Sequence, residues 1–345
     1  MASDGGAGQG RRIGWDIGGA HLKAALAVGG RIAAVVQEPC PLWQGLPHLD
    51  AAFAAILGRL GPADSHAATM TGELVDLFSS RAEGVASLAA RAAAHLGGAV
   101  AIYGGRAGWL APEAAGGRAE DVASANWHAT AALTGARIGD GLLVDMGSTT
   151  TDIIPIRAGR PAARGYTDAE RLSGGELVYT GLTRTPLMAL AAEVPFGGRR
   201  LGVMAEYFAT AADAWRVLGV LPEGVDQHPT ADGRGKSAAE SRLRLSRMIG
   251  VDVAAADEAA WRGLAAVFAE RQVRLVQDGC LLAESGVPGG GVGPVIACGI
   301  GRAVVGEVAR RLGRTVAAFE DLVPADGEAA PWTGSCAPAV AMALL

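Results

Sequence analysis

The sequence predicts an α/β protein built from two similarly constructed halves with a cleft between them. One segment occurs twice: residues 13–34, IGWDIGGAHLKAALAVGGRIAA, align without a gap on residues 142–163, LLVDMGSTTTDIIPIRAGRPAA. Asp16 matches Asp145, Gly18 matches Gly147, and Gly30-Arg31 matches Gly159-Arg160. Two copies of one supersecondary unit imply two halves of like construction. Around both copies, short apolar strands alternate with helical patterns, which marks a mixed α/β chain. With 345 residues, 50% of them hydrophobic, the chain is long enough for two domains with a core each.

Each copy reads as an apolar strand, an Asp, a small-residue turn, a second strand, a Gly-Arg turn and a third strand. Glycine stands where tight hairpins need it. Residues 1–10, MASDGGAGQG, read as a disordered tail and lack the apolar stretch of a signal peptide. The first domain spans 11–137. Helical patterns near 48–60 and 81–97 flank short strands near 67–70 and 99–103, and a helix is expected at 119–135. The second domain spans 138–330, with a helical insertion at 186–290 and helices expected at 203–219, 237–249 and 256–285. The last of these reads as a packing or homodimer helix. The strand PVIACGIG (294–301) runs into the helix GRAVVGEVARRLG, and the Ala-rich 331–345 is expected to join the first domain as a helix.

Composition excludes several classes. A formal net charge of −5 argues against nucleic acid as the main partner. No apolar run reaches the ~18 residues of a membrane span. Cys40, Cys280, Cys298 and Cys336 are scattered, without a CxxC pair, as in a cytoplasmic protein with reduced thiols. The dispersed histidines form no zinc motif. Lys plus Arg is 30, yet Lys23 and Lys236 are the two lysines.

Three glycine-rich turns carry the chemistry. In DIGGAHLK a strand ends at Asp16, and Gly18 and Gly19 let backbone N–H groups face outward to cradle a phosphate. Lys23 on the outgoing strand would neutralise its charge. The alternative is an ordinary hairpin with Asp16 capping the turn. DMGSTTTD supplies Gly147, four hydroxyls (Ser148, Thr149, Thr150, Thr151) and the carboxylates Asp145 and Asp152. Two such turns, each led by an Asp, suit Mg²⁺ held by Asp16, Asp145 and Asp152 alongside phosphate. In ACGIGR, Gly299 and Gly301 lead into a helix N-terminus, an anion or ribose site.

This constellation resembles the superfamily of actin, the sugar kinases and the seventy-kilodalton heat-shock ATPases. The resemblance implies duplicated ribonuclease H-like domains with a first phosphate loop, a second phosphate loop and a late adenosine loop. TMTGELVD (69–76), ASANW (123–127), GYTDAERLSGGELVYTGLTRTP (165–186), EYFATAADAWRVLG (206–219) and TADGRGKS (230–237) are similar to the hydantoinase/oxoprolinase-related branch. More closely, they resemble its methanofuran-biosynthesis members over residues 11–345, described in methylotrophs as proteins of the tetrahydromethanopterin-linked one-carbon pathway. The resemblance implies a transferase that joins γ-glutamyltyramine to the diphosphate ester of aminomethylfuranmethanol, with the phenol displacing diphosphate. Methylofuran is the variant product.

The candidates follow from that chemistry. Fixed N–H groups, Lys23 and Mg²⁺ would stabilise charge on the departing diphosphate. The phenol, with a pKa near 10, needs a base or a nearby cation. His21 and Glu176 are candidates for the base, and His21 also for a diphosphate donor, against a structural histidine and a helix-start carboxylate. Gly174 and Gly175, with Arg184, are placed on the diphosphate; Arg184 could instead take the glutamyl carboxylates. Glu73 is set against the aminomethyl ammonium, and Asn126 lines the cleft beside Trp127. In TADGRGKS, Arg234 and Lys236 would reach diphosphate and Asp232 the substrate, as a lid; the alternative is a solvated loop. A competing reading keeps the same loops for ATP, in a kinase or an oxoprolinase-like hydrolase. A third is a nucleotide sensor without catalysis.

Overall fold

A computed structural model describes residues 10–345; the tail expected over residues 1–10 lies, apart from Gly10, outside the described residues. In chain order the strands are β1 (Arg11–Ile17), β2 (His21–Val28), β3 (Arg31–Pro39), β4 (Ser65–Met70), β5 (Val100–Tyr103), β6 (Trp109–Leu110), β7 (Gly141–Met146), β8 (Thr151–Arg157), β9 (Arg160–Pro161), β10 (Leu177–Val178), β11 (Glu193–Phe196), β12 (Arg199–Gly202), β13 (Val295–Cys298) and β14 (Val316–Ala318). The helices are α1 (Leu46–Leu60), α2 (Arg81–Leu96), α3 (Pro112–Ala115), α4 (Ala119–Val122), α5 (Asn126–Ile138), α6 (Asp168–Gly174), α7 (Ala211–Leu218), α8 (Ala238–Met248), α9 (Glu258–Ser285), α10 (Arg302–Arg311), α11 (Ala330–Thr333) and α12 (Ala337–Leu344).

The chain divides into two compact units. The first comprises Met1–Gly139, Arg157–Pro161 and Ala318–Leu345, and the second Asp140–Ile156 and Ala162–Ala317. In the first, the sheet order is β3-β2-β1-β4-β5-β6. Its β1 is antiparallel to β2 and parallel to β4. Alternate residues Ile13, Trp15 and Ile17 of β1 join Phe53 and Ile56 of α1 and Val85 and Leu88 of α2 in one core. Ser80 starts α2 by accepting the Glu83 N–H. The other face of β1 is closed by α12. A Cβ on Gly14 would lie 2.1 Å from Ala339 O and 2.3 Å from Ala343 N, so only a glycine lets the helix backbone rest on the strand.

The second unit repeats the plan as β10-β8-β7-β13-β14, with β7 antiparallel to β8 and parallel to β13. Val144, Ile153, Val276, Cys280 and Val305 form its sheet core. A separate cluster under the insertion joins Leu187, Val194, Leu245, Trp261 and Phe268. All four cysteines are buried free thiols. Among the described residues no helix is long and apolar enough to cross a membrane.

Three expected elements change. The helix at 119–135 is interrupted, because Ser124 takes φ +53 between α4 and α5, a conformation no right-handed helix contains. Of 203–219 only Ala211–Leu218 is helical; Thr210 and Asp213 form a capping box that fixes the start there. The third strand of the second copy shrinks to two residues, because Pro161 has no N–H to offer a ladder.

Candidate active site

The two copies of the repeat close their first hairpins alike. Gly18 N–H donates to His21 O at 3.1 Å, and Gly147 N–H to Thr150 O at 2.9 Å. A flanking segment then pins the turn's carbonyls. In the first unit, Leu42 N–H donates to Gly19 O at 3.0 Å. In the second, Leu182 N–H donates to Gly147 O and Arg184 N–H to Ser148 O, both at 2.9 Å. A trans peptide carries its C=O and N–H on opposite sides. The N–H of Ala20 in one unit, and those of Ser148 and Thr149 in the other, therefore point away from the pinning segment. Successive N–H groups turned one way form an anion-binding nest.

In the first unit the turn lies at the carboxyl ends of β1 and β4, the edge where α/β sheets hold ligands. Thr71 N–H donates to Ile17 O at 2.9 Å, and a Cβ on Gly72 would stand 3.3 Å from Gly18 C. Glu73 follows, buried, and accepts Ser124 Oγ–H at 3.0 Å. The left-handed Ser124 is thus held against a buried carboxylate, and Asn126 opens α5 just beyond it. Asp16 is buried, with its Oδ2 3.7 Å from Lys23 Nζ. His21 opens β2, partly buried. At the end of β5, Tyr103 Oη and His128 Nδ1 share a hydrogen bond of 2.9 Å. Burial, aided by the Arg106 charge, pushes His128 down to about 4.

In the second unit Asp145, the turn 147–150, Arg184 and the Gly299–Gly301 turn come together. Asp145 Oδ1 lies 2.4 Å from where a Cβ on Gly299 would stand, so the carboxylate occupies that space. Gly301 N–H donates to Met146 O at 2.9 Å. Arg184 Nη1 donates to Thr149 Oγ1 at 3.2 Å, which joins the expected anion contact to the turn.

Other expected contacts fall elsewhere. Asp152 does not face a metal: Arg171, itself buried, holds its Oδ1 at 2.6 Å. Thr151 is buried and donates to Thr180 O at 2.7 Å, which removes its hydroxyl from the turn's face. Glu176 is fully buried, and its oxygens accept Arg164 N–H at 2.7 Å and Gly165 N–H at 2.9 Å, so it holds a loop and is not placed to deprotonate a phenol. Gly174 and Gly175 end α6; Gly175 is its left-handed cap, packed against α9, and neither belongs to the phosphate turn.

The 230–237 loop is tied down to α8 and to Asp226. Asp232 pairs with Arg244 at 3.1 Å and Arg247 at 3.0 Å, and takes the Arg234 N–H, so it organises the loop instead of facing substrate. Burial works against its charge, but those donors outweigh it and hold the carboxyl below the usual range. Lys236 Nζ lies 3.6 Å from Asp226 Oδ1 and donates to Asp226 O at 2.5 Å. Arg234 is exposed.

The chemistry of the donor set bears on a metal. Among the described residues no three His, Cys, Asp or Glu gather as a metal site. Asp16 pairs with Lys23 and Asp152 with Arg171, while Asp145 lies against the Gly299 turn; a carboxylate beside a phosphate-type turn is the chemistry Mg²⁺ takes, an ion usually held by one or two carboxylates, waters and substrate phosphate.

The sequence reading missed Ser124, Arg171, Thr185 and Gln272. Gln272 left a signal: it is a polar residue on the apolar face of α9, buried next to Val273 and Phe268.

Comparison with known proteins extends the picture. The hydantoinase/oxoprolinase family description matches residues 64–316. A relative from Methanocaldococcus jannaschii, named (4-{4-[2-(gamma-L-glutamylamino)ethyl]phenoxymethyl}furan-2-yl)methanamine synthase, is 34% identical over 241 residues, 70% of this chain and 72% of that one. A protein of the same name from Methanococcus vannielii is 43% identical over 112 residues, 32% of this chain and half (50%) of its own length. Among solved structures, a ROK family glucokinase from Streptomyces griseus, in complex with glucose and AMPPNP, superposes with a TM-score of 0.50 at 15% identity, covering 97% of this chain and 98% of its own. That likeness shows a shared duplicated fold of the sugar-kinase type.

Proposed function

The chain belongs to the hydantoinase/oxoprolinase family and, within it, to the methanofuran aryl-ether synthases; on that premise we propose that it is a transferase that condenses a (aminomethyl)furanmethanol diphosphate with γ-glutamyltyramine. The phenol oxygen forms a bond to the furfuryl carbon as the bond from that carbon to the diphosphate oxygen breaks. The phenolic proton passes to water, and diphosphate leaves with the electron pair of the broken carbon–oxygen bond. The carrying observation is the second turn, whose Ser148 and Thr149 N–H groups face away from the segment that pins it, with Arg184 at its rim. Donors fixed before the reaction stabilise charge that appears on a departing oxygen.

The other residues take roles that suit their surroundings. Lys23, held by Asp16, supplies a cation at the first turn. Glu73, a buried carboxylate beside that turn, suits the aminomethyl ammonium. Asp145 would hold Mg²⁺, which when bound neutralises phosphate oxygens. The test is incubation with the furfuryl diphosphate and γ-glutamyltyramine, with ATP as a comparison. An ether product with equimolar diphosphate, and no need for ATP, is expected. No diphosphate release, or turnover of ATP alone, would remove the reading.

A further inference from the structure

Gln272 is a buried amide with each of its hydrogen-bonding groups engaged. Its Oε1 accepts Trp215 Nε1–H at 2.6 Å, and its Nε2 donates to Thr180 Oγ1 at 2.8 Å and to Gly181 O at 2.7 Å. Thr185 closes the same knot: its Oγ1 accepts Gly181 N–H at 2.9 Å and lies 3.1 Å from Thr180 Oγ1. Below it Thr151, the first residue of β8, donates to Thr180 O at 2.7 Å. An apolar side chain would fill the space beneath Thr180 and Gly181 without the desolvation that an amide must offset. What the amide adds is a fixed position, because a fully satisfied polar network accepts one arrangement.

The fixed segment is the one that shapes the second turn. Gly181 lies against the Ser148–Thr149 peptide so closely that a Cβ there would stand 2.4 Å from both Ser148 C and Thr149 N. From Gly181 the chain runs on to Leu182, whose N–H pins Gly147 O, and to Thr183 and Arg184, whose N–H groups pin Ser148 O. The orientation of the turn's outward N–H groups thus depends on where Thr180–Thr185 sits. That segment sits on Gln272.

We propose that Gln272, with Thr185, is the positioning residue of the second turn, and that it sets the affinity for the diphosphate end of the donor substrate without touching it. The inference rests on the function proposed above and names which residues govern that site's recognition of diphosphate. Loss of both amide donors leaves Gly181 O and Thr180 Oγ1 to share the single hydroxyl of Thr185, which lies 3.0 Å from the first and 3.1 Å from the second, and frees the segment to shift.

The experiment measures the full chain's binding of inorganic diphosphate with Mg²⁺ by calorimetry, and the KM of each substrate. Gln272→Leu is expected to weaken diphosphate binding and raise the donor KM about tenfold or more, with the KM of the phenol unchanged. Trp215→Phe disturbs the same core but leaves both amide donors in place, so it is expected to alter the donor KM far less. Should Gln272→Leu fail to fold, Thr185→Val and Thr185→Ser decide: Val repeats the donor-specific loss and Ser restores the hydroxyl and the affinity. A folded Gln272→Leu or Thr185→Val that binds diphosphate like the parent overturns the proposal. So does an equal rise in both KM values, which marks a general loss of packing. If the parent protein itself fails to bind diphosphate, and Thr149→Val leaves the donor KM unchanged, the diphosphate reading of the turn falls, and the positioning role falls with it.

Discussion

Lys23 lies directly opposite Asp16 across the β1–β2 hairpin, with its Nζ 3.7 Å from Asp16 Oδ2. The second copy of the repeat has Asp152 in that place, opposite Asp145. One hairpin thus sets a cation against its aspartate and the other sets a like charge, which Arg171 then neutralises. Duplication kept the backbone and diverged at the cross-strand partner, where side chains interact most directly.

The first pair predicts an ordered response. Lys23→Ala should lower kcat/KM for the diphosphate ester by about a hundredfold or more, the scale of losing one preorganised electrostatic contact. Lys23→Arg keeps the charge but replaces a compact ammonium by a planar fork, and should lose about tenfold. Circular dichroism of both should match the parent, since Lys23 is partly exposed. Steady-state rates at saturating phenol give the check.

The two aspartates of the second hairpin should separate activity from stability. Asp152→Asn strips a buried guanidinium of its counter-ion and should cost about 3–5 kcal/mol, read as a fall in the urea midpoint. Asp145→Asn should abolish most turnover, a loss far larger than Asp152→Asn causes in protein that stays folded. Chelation of Mg²⁺ should reproduce the kinetic loss of Asp145→Asn and add little to it.

His128 predicts a pH dependence of stability. Its imidazole stays neutral down to about 4 in the folded protein, against an ordinary value of 6.5. Between those values the unfolded chain binds the extra proton, so stability rises with pH through this window, is fully present above 6.5, and is lost as pH falls towards 4. The slope contributed is at most about 1.4 kcal/mol per pH unit. His128→Asn, whose amide can still hydrogen-bond the Tyr103 hydroxyl in either direction, should flatten that part of a series of denaturation curves between pH 4 and 7.

Gly14→Ala should disturb the first unit alone. The new methyl would meet α12 backbone at 2.1 Å, and backbone cannot rotate aside as a side chain can. A loss of about 3 kcal/mol or more is expected. Hydrogen exchange should show faster exchange in β1, β2 and α12, with the amides of the second unit unchanged.

The duplication, the strand–helix alternation and the three turns were legible because they rest on local pattern: glycines, an Asp at a strand end, and apolar periodicity. Arg184 stands out in the sequence as a cation in a polar motif, and in the structure it donates to Thr149 Oγ1. Asp152, Glu176 and Asp232 misled for one reason. A carboxylate's role is set by what reaches it in space, and Arg171, the Arg164–Gly165 backbone and Arg244 are distant in sequence or ordinary in appearance. The break at Ser124 was hidden because a serine in a left-handed conformation leaves no mark in composition, where a glycine would have.

The seating of α12 on Gly14 also orders events in time. During synthesis at ~5–20 residues per second, roughly 300 residues emerge between β1 and α12, a wait of about 15–60 seconds. For that interval one face of the strand that leads into Asp16 is bare, while the whole intervening unit is already available to fold. The later-made unit is therefore the one that can mature first on the ribosome. The earlier-made one waits for a helix encoded at the far side of its sibling, so a nascent chain stalled before residue 337 should expose β1 to chaperones although every residue of its own first phosphate turn has long been translated.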